Sequence, residues 1–309
     1  MQYTKILVPL DGSPLSESIL PYAVSLAESL GTPIELLHVI DLDLLRTYFN
    51  TPQGRPIAEV EKQMKAHATE YLQKLAASLS KALNIRQTVA LGSAQMMIVA
   101  QAEKENGTLL AMATRGHSGV KRWFFGSVAD KVLHSATTPL LLFKGSPERN
   151  LGKDATIKRV LVPLDGSGLA EQVLSHVTIL AKAMNLEVEL MRIYSLPMTV
   201  GALASPPAYP IGAQMLTVDA FREEAVDYLE AKVQQLREGE GLPEVSHTVT
   251  QGEAADQIIE AAHQTRHSLI AMSTHGRSGV GRWILGSVAD RVIRQSGDPV
   301  FVIRPTSGG

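Results

Sequence analysis

Short apolar runs alternate with stretches of helical period along this chain. Residues 6–10 form a continuous apolar run that stops at Asp11-Gly12-Ser13. From 14 to about 30, Leu15, Ile19, Tyr22, Ala23 and Leu26 recur on one helical face. Pro14 suits a helix start, because the N–H it lacks has no intrahelical partner there, and Gly31 stops the helix. Further strands are predicted at 34–40, 85–91, 109–113 and 140–143. Helices are predicted over about 59–83, from Gly92-Ser93 onward, and over 127–135.

The second half repeats this order. Strands are predicted at 159–164, 187–193, 245–250, 268–273 and 300–303, with helices over 168–184, 217–237, 254–265 and 287–296. Motifs repeat as well. Leu7-Val8-Pro9-Leu10-Asp11-Gly12-Ser13 recurs as Leu161-Val162-Pro163-Leu164-Asp165-Gly166-Ser167. The segment from Gly116 through Gly119 and Gly126-Ser127 to Asp130 recurs from Gly276 through Gly279 and Gly286-Ser287 to Asp290. The chain is therefore a duplication whose period is a whole domain: 1–146, a Gly-, Pro- and charge-rich linker at 147–156, and 157–309. Strands alternating with helices predict an α/β fold with parallel sheets and right-handed crossovers. Continuously apolar strands predict helices on both faces. Two stretches, 41–58 and 195–215, are long for loops. Each is either a lid over a site or a surface insertion.

Composition narrows the classes. Of 309 residues, 45% are hydrophobic and 19% charged, as in ordinary soluble domains. The formal net charge of −2 gives no case for binding nucleic acid or an anionic membrane. With no cysteine, disulfides, thiolate catalysis and Cys-ligated zinc are excluded. No apolar run approaches about 18 residues, so no membrane span is expected. Met1 to Lys5 lacks a secretory pattern, so the expected location is cytoplasmic.

Candidate chemistry lies in the repeated loops. Ser127 and Ser287 each open a helix, whose first N–H groups and dipole favour an anion. Glycine at 116, 119 and 126, and at 276, 279 and 286, lets backbone approach a phosphate closely. A plain glycine turn capped by serine is the competing reading. Asp11 and Asp165 follow the first strand of each half, where open parallel sheets bind ligands. A carboxylate there accepts hydrogen bonds from a base or a ribose. An Asx turn or helix N-cap is the alternative, and the two roles are compatible.

Taken together, Leu-Val-Pro-Leu-Asp-Gly-Ser, the second-strand Leu37-His38-Val39-Ile40-Asp41, and Gly-(nine residues)-Gly-Ser resemble the universal stress protein family over essentially the whole chain, twice. That resemblance implies an adenine-nucleotide alpha-hydrolase-like fold in each half: an open five-stranded parallel sheet of order 3-2-1-4-5. It implies ATP as ligand, with Mg²⁺ as its companion. Asp11 and the backbone of Val39 would hold adenine in the first half, and Asp165 and the backbone of Ile193 in the second. Gly116, Gly126, Ser127 and Val128 would surround the phosphates, matched by Gly276, Gly286, Ser287 and Val288. Pro9, Met112 and Gly119, with Pro163, Met272 and Gly279, complete the implied sets. The last strands are the implied surfaces for pairing domains or subunits, as in a homodimer. The family motif begins with glycine, and this chain departs from it with Ala113 and Ser273.

Other residues carry weaker signals. His117 and His275 stand beside the glycines as phosphate contacts or as solvated loop residues. Arg115, Arg122, Arg277 and Arg282 supply charge for a triphosphate, or pack beside Trp123 and Trp283. His38, replaced by Arg192, reads as a locally satisfied core-edge residue. The charged face over 59–81 reads as solvated. Gly166-Ser-Gly168 is no dinucleotide fingerprint, since Glu171 occupies its third glycine position. Three functions stay open: an ATP-binding stress-response module with little turnover, a slow ATPase, and a nucleotide-free scaffold or binder of another small ligand. Walker-type, zincin and nucleophile-elbow motifs are all missing, which weighs against the enzyme.

Overall fold

The computed structural model describes residues 2–41, 57–114, 126–144, 155–195, 211–265, 267–276 and 285–306. The first half runs β1 (Lys5–Leu10), α1 (Pro14–Glu17), α2 (Leu20–Leu30), β2 (Ile34–Ile40), α3 (Ile57–Ser78), β3 (Ile85–Leu91), α4 (Ala94–Glu103), β4 (Thr108–Ala113), α5 (Ser127–Ser135) and β5 (Leu140–Phe143). The second runs β6 (Arg159–Pro163), α6 (Gly168–Glu171), α7 (Val173–Met184), β7 (Glu187–Tyr194), α8 (Ile211–Gln234), β8 (Val245–Gln251), α9 (Ala254–Gln264), β9 (Ser268–Ser273), α10 (Ser287–Gln295) and β10 (Val300–Ile303). The segments 42–56 and 196–210, most of the predicted insertions, lie outside the described residues, as does 145–154, most of the linker.

The chain forms two compact units. In the first, β1 pairs in parallel with β2 and β4, β2 with β3, and β4 with β5. The order is β3-β2-β1-β4-β5, which is the expected 3-2-1-4-5. This unit also includes β10, antiparallel to β5 with Phe301 opposite Leu141. In the second unit, β6 pairs with β7 and β9, and β7 with β8, all parallel. That repeats the 3-2-1-4 order.

Every position of β1, β4 and β9 is buried. Successive side chains point to opposite faces, so both faces of these strands are covered. Ile6, Leu7 and Val8 have no exposed surface, and each such side chain contributes about 1.5–3 kcal/mol on burial. The sheet edges depart from the continuous apolar pattern. β3 (IRQTVAL) and β8 (VSHTVTQ) are half-exposed, because an edge strand has fewer neighbours to cover it.

The helix expected over 14–30 is two helices, broken at Ser18-Ile19. Pro21, in the first turn of α2, fits that break, since it lacks an N–H to continue the ladder. Yet 168–184 also breaks, at Gln172, with no proline. The break thus belongs to the fold. It lets a short helix start at the strand end and a second one lie along the sheet. Gly31 ends α2 in the left-handed region, at φ 64°, as expected. Asn185 does the same for α7 at φ 54°.

Polar groups also enter the interior. Lys5 lies on β1 with its ammonium 2.8 Å from Glu35, and both are buried. Thr88 and Gln101 donate to the same carboxylate. Burial alone would raise the Glu35 pKa. Hydrogen bonds from Lys5, Thr88 and Gln101 outweigh it and hold the carboxyl below its ordinary value. The second unit repeats the arrangement with Arg159 3.0 Å from Glu189, which accepts from Thr248 at 2.8 Å. No helix among the described residues is long and apolar enough to cross a membrane.

Candidate functional site

The site starts at the turn that leaves the first strand of each unit. Asp11 Oδ1 accepts from the Ser13 N–H at 2.9 Å and from its hydroxyl at 2.6 Å. Ser13 Oγ in turn accepts from the Ser16 N–H at 3.1 Å and caps α1. Asp165, Ser167 and Ala170 repeat these bonds at 2.9, 2.7 and 3.2 Å. The turn requires glycine between aspartate and serine: Gly12 has φ 81° and Gly166 φ 83°. The Asx turn is therefore real, and the helix cap is the serine. One oxygen of each carboxylate is committed to the turn, which fixes the direction of the other.

The second part lies at the end of β4 and β9. There Gly126 N–H donates to Thr114 O at 2.6 Å, and Gly286 N–H to Thr274 O at 2.9 Å. Each bond ties the helix start to the strand end. The caps of α5 and α10 are Gly126 and Gly286, and neither helix has a side-chain cap bond. Glycine rather than serine is thus the cap residue of each helix. Ser127 and Ser287 are the first helical residues, and among the described residues no side chain caps the opening N–H groups. Gly286 has a reason the sequence did not show. A Cβ there would lie 2.9 Å from the Thr274 carbonyl oxygen.

In the second unit these parts enclose a cavity of about 260 Å³. Pro163, Asp165, Ile193, Met272, Gly276, Gly286, Ser287 and Val288 all line it. Its size is just under the usual range for small-molecule sites. In the first unit, Pro9 and Met112 lie near the ends of β1 and β4, and Asp11 follows β1 directly. Val39 is the penultimate residue of β2, and Gly126, Ser127 and Val128 open α5. Gly116, Gly119 and Gly279 lie outside the described residues, as do Arg115, His117, Arg122, Trp123, Arg277, Arg282 and Trp283. Ala113 and Ser273 end their strands without positive φ, so neither needs to be glycine for its backbone conformation.

Sequence reasoning missed several wall residues. Ala254 and Ile258 of α9 line the cavity, as do Leu164, Ala170, Thr274 and Ala289. Apolar helix positions far along the chain give no local signal of a ligand. Two cross-chain ties beside the site were also missed. The Tyr71 hydroxyl donates to Glu17 at 2.8 Å, and that of Tyr228 to Glu171 at 2.9 Å. Burial and the adjacent carboxylate raise both phenol pKa values. His38 sits edge-on to Tyr71 with ring centroids 5.9 Å apart, and burial holds its pKa below the ordinary value. Its Nδ1 makes no hydrogen bond among the described residues, while a hydrogen bond to the Leu10 backbone partly offsets the effect of burial on the ring. Arg192 instead lies over the Tyr228 ring at 4.8 Å and reaches Glu224 at 3.1 Å. Among the described residues no cluster of three His, Asp or Glu is placed to hold a metal ion.

In the second unit the aspartate turn and the glycine-capped helix start border one cavity, and comparison with known proteins identifies the family of the duplicated α/β chain. The model of the universal stress protein family matches residues 2–144 and again residues 156–304, and the chain belongs to that family. A universal stress protein of Mycolicibacterium smegmatis is 25% identical over 303 residues, covering 97% of both chains. One from Methanocaldococcus jannaschii is 31% identical over 147 residues, covering 48% of this chain and 82% of its own. The crystal structure of a universal stress protein from Archaeoglobus fulgidus covers 98% of this chain and 99% of its own, at a TM-score of 0.68 and 24% identity. It shares the fold.

Proposed function

We propose that the second-unit cavity binds an adenine nucleotide, ATP with Mg²⁺, and that the first half carries the equivalent site. In this reading the protein is a nucleotide-responsive stress-response module with little or no turnover. One observation carries it: Asp165, Ile193 and Gly276 converge with the uncapped Gly286-Ser287-Val288 helix start on one cavity. Asp165 accepts from the base or ribose, and the backbone of Ile193 borders the base. The opening N–H groups of α10 receive the phosphates, where backbone dipoles favour negative charge. Asp11, Val39 and the Gly126-Ser127-Val128 helix start take the same roles in the first half.

The arrangement supports binding more than hydrolysis. Phosphoryl transfer needs a group that positions the attacking water. In this reading both aspartates are engaged at the nucleoside end. The test is calorimetric titration of nucleotide-stripped protein with ATP and Mg²⁺, alongside Asp165→Ala. Heat that Asp165→Ala diminishes supports the reading; a silent titration contradicts it.

A further inference from the structure

We infer that Ser273, where the family motif has glycine, is an additional phosphate-binding residue that makes the second site different from the first. The inference rests on the nucleotide reading above. Ser273 is 7% exposed and lines the cavity. Its oxygen accepts only a long bond, 3.4 Å, from the His275 N–H. Among the described residues nothing accepts its hydroxyl proton. A buried hydroxyl normally finds an acceptor, because leaving one unsatisfied forfeits the hydrogen bond that water would have supplied.

The position of the hydroxyl indicates what that acceptor is. The next residue, Thr274, holds the start of α10 through its carbonyl, 2.9 Å from the Gly286 nitrogen. Ser273 is thus one residue from the carbonyl that fastens the start of α10, and it lines the same cavity as Ser287 and Val288. A hydroxyl donor beside backbone donors matches an anionic oxygen. A second group at this corner is also unmatched. His275 presents Nδ1 to Thr274 Oγ1 at 3.0 Å, while its buried Nε2 has no partner among the described residues. The first half has alanine here: Ala113, equally buried at 7%. It therefore lacks this donor, and the two sites differ in how they hold a phosphate rather than a nucleoside.

The experiment uses the full chain with Asp11→Ala, so that the second site is read alone. ATP and adenosine are titrated with and without Ser273→Ala. Alanine is the first half's own residue at equal burial and removes a hydroxyl without an acceptor, so the ligand-free variant is expected to fold with a melting temperature no lower than the parent's. The expected result is an ATP affinity about tenfold weaker, as for loss of one hydrogen bond to a charged group, with adenosine unchanged. Conversely, Ala113→Ser with Asp165→Ala is expected to strengthen ATP binding at the first site. Unchanged ATP affinity, or equal losses for ATP and adenosine, would overturn the role of Ser273 and leave the nucleotide reading standing. A parent protein that binds neither ligand would overturn both.

Discussion

The carboxylate of Asp165 occupies the space that a side chain on Gly276 would need. A Cβ built at Gly276 collides with Asp165 Oδ2 and comes within 3.0 Å of Cγ. Gly276 has no positive φ, so space rather than backbone conformation excludes alanine. The aspartate cannot swing aside cheaply, because Oδ1 holds the Ser167 N–H and hydroxyl. The first expectation follows. Gly276→Ala should cost about 1–3 kcal/mol of stability by overpacking and should weaken nucleotide binding at the second site about as much as Asp165→Ala does. Calorimetry on both variants checks this, and an unaltered affinity in Gly276→Ala would show that the carboxylate's direction is irrelevant.

Gly286 and Ser287 separate architecture from ligand contact. A methyl at Gly286 would press on the Thr274 carbonyl at 2.9 Å, disturbing the bond that fastens helix to strand. Gly286→Ala is expected to lose about 1–3 kcal/mol. Gly286 rather than Ser287 is the cap residue of α10, so Ser287→Ala without ligand should stay within about 0.5 kcal/mol of the parent. Urea unfolding of both variants is the check. A loss near 1 kcal/mol for Ser287→Ala, typical of a missing cap, would mean that its hydroxyl serves the helix.

Lys5 and Glu35 form a buried pair whose value depends on both partners. Lys5→Ala strands a buried carboxylate and is expected to cost about 3–5 kcal/mol. Lys5→Met combined with Glu35→Leu removes both charges while keeping volume, and should cost markedly less. Additive losses in urea melts of the single and double variants would contradict this coupling.

His176 sets a pH dependence. Burial pushes its pKa from 6.5 down to about 4. Above pH 6.5 the ring is neutral in both folded and unfolded chains. As pH falls from 6.5 to 4, the unfolded chain takes up a proton that the folded one resists. Stability is lost across that window and levels off below it. At about 1.4 kcal/mol per pH unit, the loss approaches roughly 3 kcal/mol. His176→Leu should flatten the fall between pH 6.5 and 4 relative to the parent, measured by urea midpoints; a parallel profile would remove His176 as the cause.

Much of the fold was legible because burial on both faces writes a strand as an uninterrupted apolar run. Leu140–Phe143 and Val300–Ile303 end where the pattern ends. The duplicated Asp-Gly-Ser and Gly-Ser segments likewise marked the strand ends and helix starts that meet at the cavity. Three things were not legible. The helix break after Glu17 and Glu171 is set by packing, since the apolar period runs through it unchanged. The Glu17–Tyr71 and Glu171–Tyr228 ties join residues 54 and 57 positions apart, beyond any local pattern. The need for glycine at 276 and 286 comes from neighbours in space, Asp165 and Thr274, so spacing pointed to the right residues for a different reason.

The measurement that bears most directly on the central claim is titration of nucleotide-stripped protein with ATP and Mg²⁺, repeated with Asp11→Ala, Asp165→Ala and both together, each followed by a thermal melt. Two sites per chain are predicted, each lost with its own aspartate. Saturation at about 100 times Kd should stabilise a unit by about 2.7 kcal/mol. Absence of both heat and melt shift in the parent protein would contradict nucleotide binding and leave the duplicated turns as architecture alone.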